Sequence, residues 1–362
     1  MASTAPALIP TLLATRRIPK DLGSQALTIG GPDVTVQLAP KGWLSYLVVH
    51  VAGTYTVATA TLVFNQLMPL NIIKRFLLEG TGEAVPINLG GFGAKMWNLI
   101  ERHGSPAVPG AATGALASTL LANAYDSSTV VDAAGTAVGA QTLNTWYVLA
   151  FERSSMDTRG VFPLGVQGQI VNLVMTPASA ADLVTVAANL TLPSFTVRVT
   201  QVYYTPVSAG IQNFDQFWSM QYDETFQAVA QTGLQTIQIQ PNGTFLGIIH
   251  GVFLNNAADS TDVSSATLEL NDTYIADPQG LPMESISFLQ RQRYGFALPV
   301  GVIAYDEDHF ADFGSLDVRD WIHTANLNQI QSFITIASGA TLGTNPRIYT
   351  WTRRLFRLAA AS

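Results

Sequence analysis

Apolar and polar residues alternate along most of this chain in bursts of strand length, separated by Gly, Pro, Asn, Ser and Thr. A period of two puts one face of a strand in a core and the other in solvent. The alternation predicts strands at 25–29, 34–38, 43–50, 55–64 and 72–78, then at 146–151, 169–175 and 195–204. It predicts another set at 234–240, 245–254, 267–270, 286–289, 296–305 and 330–336. Val57, Thr59, Thr61, Val63 and Phe64 favour a sheet through branching and aromatic bulk. One segment breaks the period. Phe92, Met96, Leu99 and Ile100 share a face at helical spacing, with Lys95, Asn98 and Arg102 away from it. That spacing predicts a short amphipathic helix, ended by Gly104 and Pro106.

The strand pattern occurs twice. Val34-Thr35-Val36-Gln37-Leu38-Ala39-Pro40-Lys41-Gly42-Trp43-Leu44 runs on to His50, and Leu234-Gln235-Thr236-Ile237-Gln238-Ile239-Gln240-Pro241-Asn242-Gly243-Thr244-Phe245 runs on to His250. Each copy alternates, reaches a Pro-x-Gly turn and resumes as an apolar strand ending in His. Pro163-Leu164-Gly165 pairs with Pro299-Val300-Gly301, and the strand from Phe195 with the strand from Ile330. Residues 80–145 have no counterpart in the second half. From 107 on they are rich in Ala, Gly, Ser and Thr, with a helix predicted over 111–124. The expected organisation is an N-terminal arm (1–21), a first β unit (22–208) with an insertion (80–145), a linker (209–232), a second β unit (233–344) and a basic C-terminal segment (345–362). Roughly eight strands per half, punctuated by Gly and Pro, fit an all-β chain of two tandem jelly-roll sandwiches with short helices.

Composition changes this picture in one respect. Only 12% of the 362 residues are charged, about half the usual share, while 48% are hydrophobic. No run approaches the roughly 18 apolar residues of a spanning helix. A surface so poor in charge suits burial against identical neighbours; a neutral-surfaced solitary β protein is the other reading. The absence of Cys excludes thiolate metal sites and thiol catalysis, and fits assembly in a reducing cell. Met1 to Pro10 lacks a charged region before its apolar stretch and does not read as a secretion signal.

The net charge of −7 argues against a broad basic face for nucleic acid. The sign is uneven, however. Arg16, Arg17 and Lys20 precede the first acidic residue, and Arg347, Arg353, Arg354 and Arg357 follow the last. Two readings stand: arms facing nucleic acid or anionic lipid inside a shell, or solubilising ends. The aromatic group at Phe214, Phe217, Trp218, Tyr222 and Phe226 lies among Asp215, Asp223 and Glu224, which repel phosphate. It reads as packing or as an intersubunit anchor.

Catalytic signals are weak. Asp306 and Asp308, within Asp306-Glu307-Asp308-His309, are the best cation ligands, yet the cluster lacks the Gly and twelfth-position Glu of a calcium loop. The five His residues lack zinc-site spacing, and His50 and His250 occupy matching places in the two halves. Glu152 with Asp157, or Glu269 with Asp272, are the available carboxylate pairs for glycoside hydrolysis. No nucleophile elbow, dinucleotide or phosphate-loop motif occurs. The expectation is no catalytic residue, no metal and no cofactor.

The tandem Pro-x-Gly strand motifs, the insertion after the first strands and the length resemble the double jelly-roll major capsid proteins of tailless icosahedral DNA viruses, bacteriophages included. The resemblance covers most of the chain. It implies a non-enzymatic structural protein whose homotrimers form pseudo-hexagonal capsomers tiling a virion shell, assembled in the host cytoplasm. It implies contacts with minor capsid or vertex proteins, and with an inner membrane or the genome through the basic termini. The insertion would be a tower on the outer surface. Interface candidates are Trp97, Trp146, Phe214, Trp218 and Trp351. Two competing readings are a receptor- or glycan-binding β-sandwich spike and a tandem-sandwich glycan hydrolase.

Overall fold

The structure, a computed structural model, describes residues 15–58, 70–80, 86–100, 139–152, 160–164, 170–184, 190–191, 195–206, 218–254, 262–271, 273–274, 280–294, 298, 301–305, 322–343 and 345–357. The first half contains β1 (Thr15–Leu27), β2 (Val34–Gln37), β3 (Trp43–Val57), β4 (Ile73–Gly80), β5 (Ile87–Leu89), α1 (Gly91–Ile100), β6 (Gly139–Ala150), β7 (Phe162–Pro163), β8 (Val171–Pro177), α2 (Ala180–Leu183), β9 (Leu190–Thr191) and β10 (Phe195–Pro206). The second contains β11 (Trp218–Ala228), β12 (Gly233–Ile239), β13 (Thr244–Phe253), β14 (Val263–Leu270), β15 (Thr273–Tyr274), β16 (Leu281–Pro282), α3 (Met283–Tyr294), β17 (Val302–Tyr305), β18 (Ile322–His323), β19 (Ile330–Ile336) and β20 (Arg347–Arg357).

These strands build two sandwiches from three sheets. A six-stranded sheet runs β1-β10-β3-β6, and a five-stranded sheet runs β12-β19-β14-β15. Between them a nine-stranded sheet runs β17-β13-β20-β11-β5-β4-β8-β2. Its β2, β8 and β4 side backs the first sandwich, and its β13 and β20 side backs the second. The halves meet where β5 pairs parallel with β11, Ile87 against Tyr222. Alternation does what period two requires: β8 and β19 bury every second residue. One large core spans the first sandwich and the junction, and a second core fills the other sandwich.

The repeat seen in the sequence is a repeat of topology. β1 pairs β10 as β11 pairs β20. β2 pairs β8 as β12 pairs β19. β3 pairs β10 as β13 pairs β20. β4 pairs β8 as β14 pairs β19. β3 also pairs β6 and β7 as β13 pairs β17 and β18. The Pro-x-Gly turns are not hairpins, because the strands they join lie in different sheets. Each turn carries the chain across the sandwich, with Gly42 and Gly243 at positive φ.

Several expectations change. The strand from Ile330 is not the mate of the strand from Phe195: β19 corresponds to β8, and β20 to β10. Likewise β7, which holds Pro163, corresponds to β18 rather than to the strand after Pro299. These segments share composition, but strand pairing sets the mates: β19 lies between β12 and β14 as β8 lies between β2 and β4. The arm expected over 1–21 is sheet from Thr15 on, paired with β10. The linker expected over 209–232 contains β11, and the C-terminal segment 345–362 contains β20, which is flanked by β13 and β11. The insertion expected over 80–145 is narrower, since β5, α1 and the start of β6 belong to the fold. Its helix over 111–124 lies outside the described residues. The strand expected at 286–289 is part of α3, because Met283, Ile286 and Gln290 bury one face at i, i+3 and i+7.

Candidate assembly surfaces

The seam between the sandwiches is filled by α1. Phe92 packs 5.3 Å from the ring of Trp351 and 5.4 Å from Phe253. Trp97 lies edge-on to Tyr222 at 6.1 Å, and the Arg353 guanidinium sits 5.0 Å over its ring. A Cβ at Gly93 would fall on the Trp351 indole, so only glycine lets the helix approach this closely. The polar face expected for this helix is buried as well. Asn98 donates to the carbonyl of Val148 and accepts from its N–H, satisfying backbone groups of β6, and Lys95 lies over Tyr147.

Glu224 locks the seam from β11. One carboxylate oxygen accepts from the Gly90 N–H at 2.8 Å and from the Trp351 indole N–H at 2.7 Å. Burial pushes this carboxyl above its ordinary range, against the pull of those two donors. At the seam's open end lies a groove of about 800 Å³, bordered by Lys74, Asp182, Arg347 and Tyr349.

The predicted interface residues separate. Trp97 and Trp351 are fully buried in the seam and hold one copy together. Trp146 is half-buried on the outer face of the six-stranded sheet, stacked on His50 at 3.9 Å. Phe214 lies outside the described residues, as do Asp306 and Asp308. Trp218 opens β11, paired with Arg357. Among the described residues no cluster of His, Asp or Glu fits a metal ion. Glu152 is held in a pair: Arg17 binds it at 2.5 Å and the Tyr204 hydroxyl donates to it at 2.7 Å, while Asp157 and Asp272 lie outside the described residues. Burial and that carboxylate push the Tyr204 phenol up to about 12.

The basic residues do not form one face. Thr15 pairs with Pro206, Trp218 with Arg357, and Gly160 bridges to Ser219. The start of β1, the end of β10, the start of β11 and the end of β20 therefore share one end of the molecule. Arg16 and Lys20 are exposed on β1, and Arg17 is tied to Glu152. Arg347 stands at the far end of β20, about 33 Å from Arg357 at about 3.3 Å per residue. Arg353 is buried in the seam, where desolvation pulls its pKa down to about 9. Arg354 faces Asp223 at 3.5 Å. An alternating strand sends successive arginines to opposite faces, which a linear reading of a basic segment does not register.

Two surfaces escaped the sequence reading. The outer face of the six-stranded sheet presents Tyr46, Val48, His50, Val148 and Thr200, all half-buried. On α3, Phe288 and Leu289 are 68% and 50% exposed. Reading 286–289 as a strand hid this second surface, since helical spacing puts Phe288 opposite Met283 and Ile286 and Leu289 on the flank of that buried face.

No family model matches the chain, and no curated protein matches it in sequence. Its fold does match solved structures. The STIV MCP superposes with a TM-score of 0.67 at 13% identity, over 94% of this chain and 97% of that one. A chain of the PBCV-1 virus capsid superposes at 0.61 and 13% identity, over 94% and 93%. The major capsid protein of bacteriophage PM2 superposes at 0.53 and 12% identity, over 96% and 100%. The chain thus has the double jelly-roll fold of these proteins over nearly its whole length.

Proposed function

We propose that this chain is a major capsid protein, a building block whose three copies form a pseudo-hexagonal capsomer that tiles an icosahedral shell. The observation that carries the reading is the fold itself. Two jelly rolls stand side by side, fused through one sheet, across 94% of a chain that covers 97% of the STIV MCP. A fused pair is a stiff block, and symmetry multiplies its lateral contacts over a shell. The role needs no catalytic residue and no cofactor. On this reading the protein resides in the virion after assembly in the host cytoplasm. Exposed Arg16, beside the start of β1, marks the end that meets minor or vertex proteins, genome or an inner membrane.

Native mass with negative-stain images tests it. The expected result is a particle of about three times the 38.7 kDa chain, hexagonal in outline or assembled into shells. A stable monomer would reject the proposal. A compact oligomer that never tiles would favour the glycan-binding spike.

A further inference from the structure

The repeated topology lets each residue of one half be matched to a position in the other, and one contact is made only once. Gly42 and Gly243 end equivalent turns, so β3 and β13 align with Tyr46 at Gly247 and Val48 at Ile249. Strand register then carries the match to β10 and β20: Val48 pairs Thr200 as Ile249 pairs Trp351. It reaches β6 and β17 too, where Val48 pairs Val148 as Ile249 pairs Ala304. The helices match independently. Asn98 of α1 donates to the carbonyl of Val148, and Gln290 of α3 donates to the carbonyl of Ala304, the equivalent residue. Aligned on these amides, Met96-Trp97 correspond to Phe288-Leu289, and Gly93 to Ser285.

The matched positions differ in burial. Met96 and Trp97 are 2% and 1% exposed, packed in the seam between α1 and the second sandwich. Phe288 and Leu289 are open. The receiving face differs in the same sense. Ile249, Trp351 and Ala304 are buried under the first sandwich and its helix, while Val48, Thr200 and Val148 remain half-exposed. One chain therefore carries one completed seam and the two unpaired sides of another. They sit on different sandwiches, so a single copy has a helix on its second sandwich and a bare sheet on its first.

We propose that Phe288 and Leu289 of one copy pack on the outer face of the six-stranded sheet of the next copy, around Tyr46, Val48 and Thr200. This rests on the capsomer reading and specifies its interface. The contact is heterologous, and such contacts close into a ring when the rotation divides the circle. Three copies then alternate internal seams with external ones, giving six similar contacts from three chains. The external seam lacks one feature. In the internal seam the Tyr222 N–H donates to the Pro86 carbonyl, joining β11 to β5. The position on β1 equivalent to Tyr222 is Pro19, which has no N–H. Copies therefore join through side chains rather than by continuing the sheet.

The absence of Cys gives a clean test. A disulfide needs Cβ atoms about 3.5–4.5 Å apart. Gly93 touches Trp351 in the internal seam, so the equivalents Ser285 and Thr200 meet across copies. Full-length protein carrying both Ser285→Cys and Thr200→Cys is expected to oxidise to a three-chain species on a non-reducing gel, and neither single variant is. Leu289→Asp and Phe288→Asp alter exposed side chains, and each is expected to lower trimer affinity at least a hundredfold with the melting temperature of the monomer unchanged. Trimers that persist in both Asp variants, with no three-chain band from the Cys pair, would overturn the interface while leaving the capsomer reading intact. A wild-type protein that is only monomeric would reject both.

Discussion

His50 and His250 show how much a single position decides. Both end the apolar strand after a Pro-x-Gly turn, and they look like mates. Counted from Gly42 and Gly243, they are one residue out of step, and a one-residue step flips a side chain through the sheet. His50 therefore stacks on Trp146 at the outer face, while His250 is buried, with its ring nitrogen 3.0 Å from the Thr350 hydroxyl and its pKa pulled down to about 3 by burial. The Arg17–Glu152 pair was equally hidden from the sequence, because 135 residues separate its members. Arg17→Ala leaves a buried carboxylate with Tyr204 as its one donor among the described residues. Since Arg17 is one-third exposed, the expected cost is about 2 kcal/mol rather than the roughly 3–5 of a fully buried pair, read from urea midpoints. Glu224 sets a pH dependence. Its folded carboxyl keeps its proton to higher pH than the unfolded one, whose value is near 4.5. The folded state then binds more protons, so stability falls as pH rises from about 4.5 through the raised folded value. Glu224→Gln preserves an oxygen that can accept from both Gly90 and Trp351. It is expected to remove that slope across a series of urea melts, and an unchanged slope would assign the pH dependence to other groups.

At the scale of elements, the most legible feature was the Pro-x-Gly turn, because a fixed φ beside a left-handed glycine leaves few backbone paths. Its destination was not legible: the same turn serves a hairpin or a crossing between sheets. Gly42→Ala and Gly243→Ala separate backbone cost from crowding. Each imposes a left-handed alanine, at about 1–2 kcal/mol. At Gly42 the new methyl also falls on the Tyr204 carbonyl oxygen, whereas at Gly243 it only touches Leu355 and Phe356. Thermal melts are expected to rank Gly42→Ala as clearly the less stable, and equal shifts would mean the turn relaxes. Helix α1 was legible in place but not in burial. Its apolar stripe was plain, yet Lys95 and Asn98 read as solvent-facing because nothing local announces a second sandwich on the other side. In α3 the stripe is short and broken by Ser285 and Ser287, and four apolar-rich residues passed for a strand.

At the scale of the whole molecule, duplication and asymmetry act together. Two equal sandwiches would offer equal surfaces, but fusion within one chain consumes one helix and one sheet face and leaves the others open. A native mass of three chains, with the external seam sensitive to Leu289 and the internal seam insensitive, is the signature expected of that arrangement. The half-open sheet face carries Tyr46, Val48 and Thr200 beside the exposed Asp21–Arg198 ion pair, so a neighbour covering it must leave that pair at the rim or bury it paired. Period-two alternation, turn residues and repetition are local properties, so the chain alone determined an all-β class, two jelly rolls, most strands and the place of α1. Which strands are mates, which basic residues reach a surface and which aromatic residues are left for a neighbour depend on contacts between distant segments. Those were decided only by the tertiary structure, because burial belongs to the packed sheet and not to any window of sequence.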